Sequence, residues 1–262
     1  METIISFENV TKTYDGKNVI DHVSHEFYRG ESVAFIGHNG CGKSTMLKLL
    51  GGLIFASSGK IHRQKKTRFS YVPEKFPGML IPMLDYLKRI ADMEGVEQSE
   101  VRRLIGEFFL EGMIHARLNE LSKGSLQKVG VIQALLAPCD IILLDEPLSG
   151  QDAASQEVFI LKVNELRGKG VTVFMSCHEK KLVDELSDRV YAIEQGKPAD
   201  VKEERESIFA VTVRKKEGMR VWPDMKDAGN KYLLRVREAD VKETVLRLFE
   251  EGWELAGVEE YL

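Results

Sequence analysis

The N-terminal part of the chain alternates between short apolar runs and segments whose apolar residues recur at helical spacing. Residues 1–30 are predicted to form short strands with a turn at Asp15-Gly16. Ser32–Ile36 is an apolar run that leads into a glycine-rich loop, and the segment Lys43–Leu50 favours a helix. This region therefore predicts a strand, a loop and a helix in succession.

The middle of the chain combines a helical segment with further buried strands. Apolar residues at helical spacing predict a helical insert over about 76–126; they are Leu84, Leu87, Ile90, Leu104, Ile105, Phe108 and Phe109. The runs Ile141–Leu144, Val171–Met175 and Val190–Ile193 predict strands, and Gln156–Arg167 predicts a helix. Buried strands separated by helices are typical of a parallel α/β core.

The C-terminal part has a different composition. Residues 197–206 are mostly charged and are predicted to form a linker. Beyond this linker the pattern predicts three strands and one helix, which are Ile208–Val213, Tyr232–Val236, Trp253–Val258 and Val241–Phe249. We therefore expect a larger domain over 1–196 and a small α+β domain over 207–262.

Composition is that of a folded protein of about two domains. The chain has 262 residues, of which 43% are hydrophobic and 30% charged. Its longest runs without Asp, Glu, Lys or Arg are eleven residues, whereas a membrane-spanning helix needs roughly 18 apolar residues. The sequence begins METIISFENV, without the basic segment of a secretory signal, so we expect a cytosolic location.

Charge and cysteine content argue against two other classes of protein. The chain has 37 Lys and Arg against 41 Asp and Glu, a net charge of −4, so no nucleic-acid partner is expected. Three cysteines without metal-ligand spacing favour a reduced protein over a disulfide scaffold.

The strongest chemical signal is the glycine-rich loop between the predicted strand and helix. It fits the phosphate-binding pattern G-x-x-x-x-G-K-[ST] and comprises Gly37, His38, Asn39, Gly40, Cys41, Gly42, Lys43, Ser44 and Thr45. Backbone N–H groups of such a loop point at phosphates; Lys43 is predicted to reach the β- and γ-phosphates, and Ser44 to offer its hydroxyl to Mg²⁺. The alternative is a chance glycine turn, which the preceding strand and the later motifs disfavour.

Two acidic residues follow the predicted strand Ile141–Leu144. Ionised carboxylates at the end of a buried strand are costly unless they have partners, and a metal ion and a water are suitable partners. Asp145 is predicted to hold Mg²⁺, and Glu146 to act as the general base on an attacking water. The alternative is that both acids cap the strand end in solvent.

Together these residues resemble the ATP-binding cassette of ABC transporters, over residues 1 to about 196. The segment Leu121-Ser122-Lys123-Gly124-Ser125 resembles the LSGGQ signature of that family. The resemblance implies that Ser122, Lys123, Gly124 and Ser125 contact ATP held by a second cassette. Lys123 replaces a glycine of the signature and Ser125 its glutamine. The alternative for Ser122 is a plain helix N-cap.

Three further positions match the family. Ser149-Gly150-Gln151-Asp152 resembles its D-loop, which implies that Asp152 makes a contact across the dimer. His178 resembles the switch histidine and is implied to stabilise the γ-phosphate, although a lone histidine is usually structural. Tyr14 matches the aromatic residue that stacks on adenine.

Glu74 is the largest departure from the family pattern. It follows Tyr71-Val72-Pro73, where the family has the glutamine of its Q-loop. The resemblance implies a position beside Mg²⁺. A carboxylate there would also repel the γ-phosphate if the metal were poorly seated.

The resemblance implies a P-loop NTPase fold with a parallel-sheet core, an N-terminal antiparallel β portion and a helical insert. It further implies an ATPase that pairs with a second cassette, as a homodimer or with a similar chain. Such a pair would attach to the cytoplasmic face of the membrane through a separate membrane-spanning permease. LSKG followed by Gln-Lys, Pro-Glu at the Q-loop and a short C-terminal extension are similar to ABC-2-type exporters, which move drugs, peptides or lipids outward.

Two other functions remain alternatives. An ABC-type ATPase can act as a switch on nucleic acid or ribosomes, but residues 207–262 hold 10 basic and 11 acidic residues and form no basic stripe. A P-loop metabolic kinase would have no role for Ser122, Asp152 or His178.

Overall fold

The computed structural model describes residues 2–148, 151–201, 208–214, 221–222 and 224–260. The chain forms two compact units, Met1–Val201 and Lys202–Leu262. Within the described residues, no helix has the length and apolar character that crossing a membrane requires.

The larger unit alternates strands and helices along most of its length. In chain order these are β1 (Thr3–Tyr14), β2 (Lys17–Tyr28), β3 (Ser32–Ile36), α1 (Lys43–Leu50), β4 (Ser58–Arg63), β5 (Phe69–Val72), α2 (Met83–Glu94), α3 (Gln98–Glu107), α4 (Lys123–Leu136), β6 (Ile141–Asp145), α5 (Ala153–Gly168), β7 (Thr172–Ser176), α6 (Lys180–Leu186), β8 (Arg189–Glu194) and β9 (Lys197–Asp200). Two single 3₁₀ turns, Glu111–Met113 and Leu118–Glu120, lie between α3 and α4.

Two sheets organise this unit. A six-stranded sheet has the order β5-β6-β7-β3-β8-β9, in which all pairs are parallel except the antiparallel pair β8-β9. A three-stranded antiparallel sheet has the order β2-β1-β4. The predicted parallel α/β core and N-terminal antiparallel portion are therefore confirmed.

Two hydrophobic clusters cover the opposite faces of the six-stranded sheet. One includes Leu47 of α1 and Phe27 of β2, and the other includes Leu87 of α2 and Phe159 of α5. Because the strands β6 and β7 are buried along their whole length, they appear in the sequence as continuous apolar runs. This packing fixes the strand ends from which the candidate site residues project.

One sequence expectation is wrong in this unit. Lys197–Asp200 were assigned to the linker, but they form β9 and pair with β8, from Glu194 opposite Lys197 to Tyr191 opposite Asp200. The strand lies at the sheet edge and its side chains are mostly exposed, so hydrophobic patterning does not reveal it. Residues 202–206 of the predicted linker lie outside the described residues.

In its described residues, the smaller unit combines a helix with a four-stranded antiparallel sheet. Its elements are β10 (Ile208–Arg214), β11 (Lys226–Ala228), β12 (Lys231–Arg237), α7 (Glu238–Glu250) and β13 (Leu255–Glu260). The strand order is β11-β12-β10-β13, and Val211, Leu234, Leu248 and Trp253 form part of its own core. That it works as an accessory domain over 207–262 stays a prediction.

Candidate functional site

A cavity of about 840 Å³ lies in the larger unit, where the glycine-rich loop meets the ends of β6 and β7 and the start of α4. Several sequence-predicted residues line this cavity together. Its lining is Val19, Asn39, Gly40, Gly42, Lys43, Ser44, Thr45, Glu74, Lys123, Gly124, Gln127, Glu146, Gln151 and His178.

The glycine-rich loop is shaped by backbone conformations that favour glycine. Gly42, just before α1, has φ of 117°, and a Cβ there would stand 2.9 Å from the carbonyl oxygen of Val19. Gly40 has φ of 80° and has open space where a Cβ would be. The loop therefore passes close to β2 on one side and leaves its cavity side free for a ligand.

Three polar side chains from three elements converge at the cavity floor. Nε2 of His178 lies 2.9 Å from Nζ of Lys43 and 3.0 Å from Oε1 of Glu146. Nζ of Lys43 also donates to the carbonyl oxygen of Gly37 at 2.9 Å and lies 3.9 Å from Oε1 of Glu146. Without its hydrogen, Nε2 accepts from Lys43; with it, Nε2 donates to Glu146 or to Oδ1 of Asn39 at 3.0 Å.

The environment of Glu146 is unusual in its backbone and its electrostatics. Its φ of 48° lies in the left-handed region, which non-glycine residues rarely occupy, and such strain concentrates at functional sites. Burial raises the pKa of the Glu146 carboxyl, while His178 and Lys43 oppose that rise. A carboxylate held in this way is a stronger base than an exposed one.

Asp145 is buried beside this cluster and accepts three hydrogen bonds. Ser44 and Ser176 donate to its Oδ1 at 2.8 and 2.7 Å, and the hydroxyl of Tyr71 donates to its Oδ2 at 3.2 Å. Burial and the nearby Asp145 raise the pKa of Tyr71, so that its hydroxyl keeps its hydrogen. Ser176 also accepts from the backbone N–H of Glu146 at 3.0 Å, which joins β7 to the end of β6.

The donor atoms here fit Mg²⁺. A hydroxyl from Ser44 and a carboxylate from Asp145 meet 2.8 Å apart beside the loop, and both are oxygen ligands that Mg²⁺ accepts. Within the described residues, no group of three or more His, Cys, Asp or Glu side chains could hold a metal alone.

The predicted signature residues begin α4, as the N-cap interpretation of Ser122 requires. Oγ of Ser122 accepts the backbone N–H of Ser125 at 3.1 Å. Lys123 and Gly124 face the cavity, and a Cβ on Gly124 would stand 2.9 Å from Nε2 of Gln151. The start of α4 therefore lines the same cavity as the glycine-rich loop.

Comparison with known proteins agrees with this geometry. The sequence profile of the family described as ABC transporter matches residues 20–149. The uncharacterised ABC transporter ATP-binding protein MJ1023 of Methanocaldococcus jannaschii is 33% identical over 203 residues, which are 75% of this chain and 76% of that protein. This chain belongs to the ABC transporter family. It is an ATP-binding cassette and an ATPase, as the cassettes of this family are.

Two further relatives have informative names. The zinc import ATP-binding protein ZnuC of Vibrio vulnificus is 31% identical over 210 residues, covering 77% of this chain and 79% of ZnuC. The cassette MJ0796, solved as a dimer in a post-hydrolysis state with ADP and Pi, aligns with a TM-score of 0.68 at 22% identity, covering 76% of this chain and 99% of that one. Because its identity is only 22%, the likeness to MJ0796 shows the fold alone.

Other predicted residues of the cassette lie at or beyond the edge of the cavity. His38 and Asp152 are exposed, Cys41 is partly buried, and none of these three lines the cavity. Tyr14 is exposed at the end of β1, with Nζ of Lys12 5.0 Å above its ring, and does not line the cavity either; its stacking on adenine stays a prediction. Ser149 and Gly150 of the predicted D-loop lie outside the described residues.

Sequence reasoning missed several side chains in or beside the cassette's cavity, among them Val19, Gln127 and Ser176. Gln127, on α4, is 6% exposed, and its Nε2 donates to the carbonyl oxygen of Pro73 at 2.8 Å. Ser176 connects Asp145 to the backbone of Glu146. No motif of the sequence pointed to Gln127 as a residue of the cavity.

Proposed function

We propose that this chain is the ATP-hydrolysing subunit of an ABC transporter and drives a separate membrane-spanning permease. The observation that carries the proposal is the convergence of Lys43, Glu146 and His178 in one cavity, with Glu146 Oε1 3.0 Å from His178 and 3.9 Å from Lys43. Lys43 is a cation that can bind phosphate, Glu146 is a base that can accept a proton from water, and His178 is a polar group that orients this base.

The glycine-rich loop binds the triphosphate in this proposal. Backbone N–H groups of Gly37–Thr45 and the Lys43 ammonium hold the β- and γ-phosphates. Ser44, Asp145 and, at the cavity wall, Glu74 are the proposed Mg²⁺ contacts. Mg²⁺ neutralises phosphate charge when it is bound.

Glu146 is the proposed catalytic base. It takes a proton from the water whose oxygen attacks the γ-phosphorus, while the bond to the bridging oxygen breaks and ADP leaves. His178 holds Oε1 of Glu146 and lies close enough to Lys43 to act on the γ-phosphate. The Asp145 carboxylate is held by Ser44, Ser176 and Tyr71, which keeps it fixed during the reaction.

Two copies of the chain, or this chain and a similar one, close around two ATP molecules in this proposal. Ser122 and Lys123 at the start of α4 and Asp152 at the start of α5 are exposed, as a contact surface for a second cassette requires. Closure would transmit force to the permease at the cytoplasmic face of the membrane.

The transport direction has two candidates. Export of drugs, peptides or lipids is the prediction of the ABC-2-type sequence features, and the comparisons do not add to it. Zinc import is favoured by the name of the relative ZnuC, which is 31% identical. Proteoliposomes with cassettes facing outward separate them: given ATP outside, an exporter accumulates its substrate in the lumen, whereas a zinc importer releases preloaded radioactive zinc.

The subunit proposal is tested by capture from membranes. Glu146→Gln is used as bait with ATP in detergent-solubilised membranes of the native cell, and Lys43→Ala, which should not retain nucleotide, is the matched bait. Mass spectrometry should identify a polytopic membrane protein enriched with the first bait. Enrichment of ribosomes, nucleic acid or soluble proteins alone would contradict the proposal and favour the switch alternative.

A further inference from the structure

Glu146 has a backbone conformation that its local sequence disfavours. Its φ of 48° lies in the left-handed region, whereas the following Pro147 favours extended conformations of the residue before it. Strained positions of this kind persist only where the surrounding structure holds them. Contacts from another part of the chain are therefore needed to fix Glu146 at the end of β6.

Ser176, the last residue of β7, supplies such a contact. In the pairing of β6 with β7, Ser176 lies opposite Asp145. The backbone N–H of Glu146 donates to Oγ of Ser176 at 3.0 Å and to the carbonyl oxygen of Ser176 at 3.2 Å. Because Ser176 is fully buried, water does not compete for these bonds.

The chemistry of the groups fixes the direction of these hydrogen bonds. A carboxylate can only accept, so the hydroxyl of Ser176 donates its hydrogen to Oδ1 of Asp145 at 2.7 Å. A lone pair of the same hydroxyl oxygen is then left to accept the N–H of Glu146. The hydroxyl thus joins the side chain of Asp145 to the backbone of Glu146 in a defined orientation.

The same short segment also holds the other end of Glu146. Two residues after Ser176, Nε2 of His178 lies 3.0 Å from Oε1 of Glu146. Ser176 therefore holds the backbone of Glu146, and His178 holds its carboxylate. The position of this carboxylate in the cavity depends on both contacts.

We propose that Ser176 is a positioning residue for ATP hydrolysis, whose hydroxyl is anchored on Asp145 and holds the strained backbone of Glu146 so that its carboxylate faces the attacking water. This inference rests on the proposed role of Glu146 as the catalytic base. Ser176 acts through Glu146 and makes no contact with the reacting atoms.

The test compares Ser176→Ala with wild type in the full chain. Loss of the hydroxyl leaves the base less well oriented, so kcat for ATP hydrolysis should fall about tenfold. KM, and the Kd for ATP measured by equilibrium dialysis, should stay within about threefold of wild type. The variant should fold, because the N–H of Glu146 keeps its bond to the carbonyl oxygen at position 176.

A second comparison separates positioning of the base from any other effect of Ser176. In single-turnover hydrolysis, Ser176→Ala should lower the residual rate of Glu146→Gln by less than about twofold, because both changes act through the same side chain. An equal loss in the wild-type and Glu146→Gln backgrounds would show that Ser176 acts by another route, which contradicts the proposal.

Two further variants test the specificity of the hydroxyl. Ser176→Thr keeps a hydroxyl and should retain at least about one third of the wild-type kcat. Ser70→Ala removes another buried serine hydroxyl, which donates to the carbonyl oxygen of Ala134 at 2.9 Å, and should leave kcat unchanged. A loss as large as that of Ser176→Ala in either variant would contradict the proposal.

Wild-type kcat in Ser176→Ala, beside a slow Glu146→Gln, would overturn the proposal alone. If Glu146→Gln hydrolysed ATP as fast as wild type, the proposed base itself would be refuted. The failure of this inference and the failure of the proposed site are therefore distinguishable.

Discussion

Nε2 of His178 lies 3.0 Å from Oε1 of Glu146, although the two residues follow different strands. Adjacent parallel strands β6 and β7 end at the same edge of the sheet, so residues that directly follow them meet there. The pair stands opposite Lys43 at the start of α1. The hydrolytic cluster is thus assembled by strand order.

Removing the histidine should slow hydrolysis with little effect on binding. In His178→Ala, Oε1 of Glu146 loses the partner that orients it, so kcat should fall about tenfold or more while KM for ATP stays within about threefold. Steady-state ATPase kinetics measures both. His115→Ala, at an exposed histidine of the helical insert, is the control. A rise in KM with unchanged kcat would indicate that His178 serves ATP binding instead.

Removing the base should separate hydrolysis from binding. Glu146→Gln keeps the size of the side chain but cannot accept the proton, so kcat should fall about 100-fold or more while ATP still binds. Single-turnover hydrolysis and nucleotide dialysis measure the two properties, with Glu157→Gln on the exposed face of α5 as the control. Unchanged hydrolysis in Glu146→Gln would assign the base elsewhere.

Alkylation of Cys41 should block ATP binding. Its Sγ lies against the glycine-rich loop, 2.8 Å from the position of a Cβ on Gly37, so an added group must displace the loop. Burial raises the pKa of both other thiols, Cys139 and Cys177, to about 11, which slows their reaction. N-ethylmaleimide should abolish ATP binding in wild type and leave it unchanged in Cys41→Ser. Full ATP binding after confirmed modification of Cys41 would contradict the prediction.

The N-cap of α4 should contribute to stability separately from any nucleotide contact. Ser122→Ala removes the acceptor for the N–H of Ser125 and should cost about 1 kcal/mol, or roughly 2–4 °C in Tm for a unit of this size. Ser122→Asp retains the cap and should melt near wild type in calorimetry without nucleotide. Equal melting of all three proteins would contradict the capping role.

Asp152 should make stability depend on acid pH. Ser155 donates its backbone N–H and hydroxyl to the Asp152 carboxylate, and these bonds lower the pKa of Asp152 to about 2. The folded pKa is below the unfolded one, so this contribution is complete above the unfolded pKa and is lost as pH falls toward 2. Asp152→Asn still caps α5, but its amide does not titrate in this pH range. As the pH is lowered from 5 to 3, the urea midpoint of the variant should therefore rise relative to that of wild type. A constant difference would contradict this.

Hydrophobic patterning predicted the fully buried strands β6 and β7 and missed β4, β9 and the partly buried β5. Ile141–Leu144 was visible because every residue of β6 is buried. Ser58–Arg63 and Lys197–Asp200 were missed because β4 and β9 lie at sheet edges with mostly exposed side chains. Their pairing depends on backbone hydrogen bonds, which leave no apolar signature.

Motif resemblance located the site residues but not their contacts. Ser44 and Asp145 were each predicted from local patterns, and the structure places them 2.8 Å apart across 101 positions of sequence. The bond from Gln127 to Pro73 spans 54 positions and belongs to no motif. Such contacts depend on how α1 and α4 pack against the sheet, which local patterns do not specify.

The proposed closure of two cassettes around ATP is tested most directly by the molar mass of Glu146→Gln in ATP and Mg²⁺, measured by size-exclusion chromatography with light scattering. A species of twice the 29.7 kDa chain is expected with ATP, and a single chain without nucleotide. A variant that binds ATP and remains at the mass of one chain would contradict closure of two cassettes around ATP.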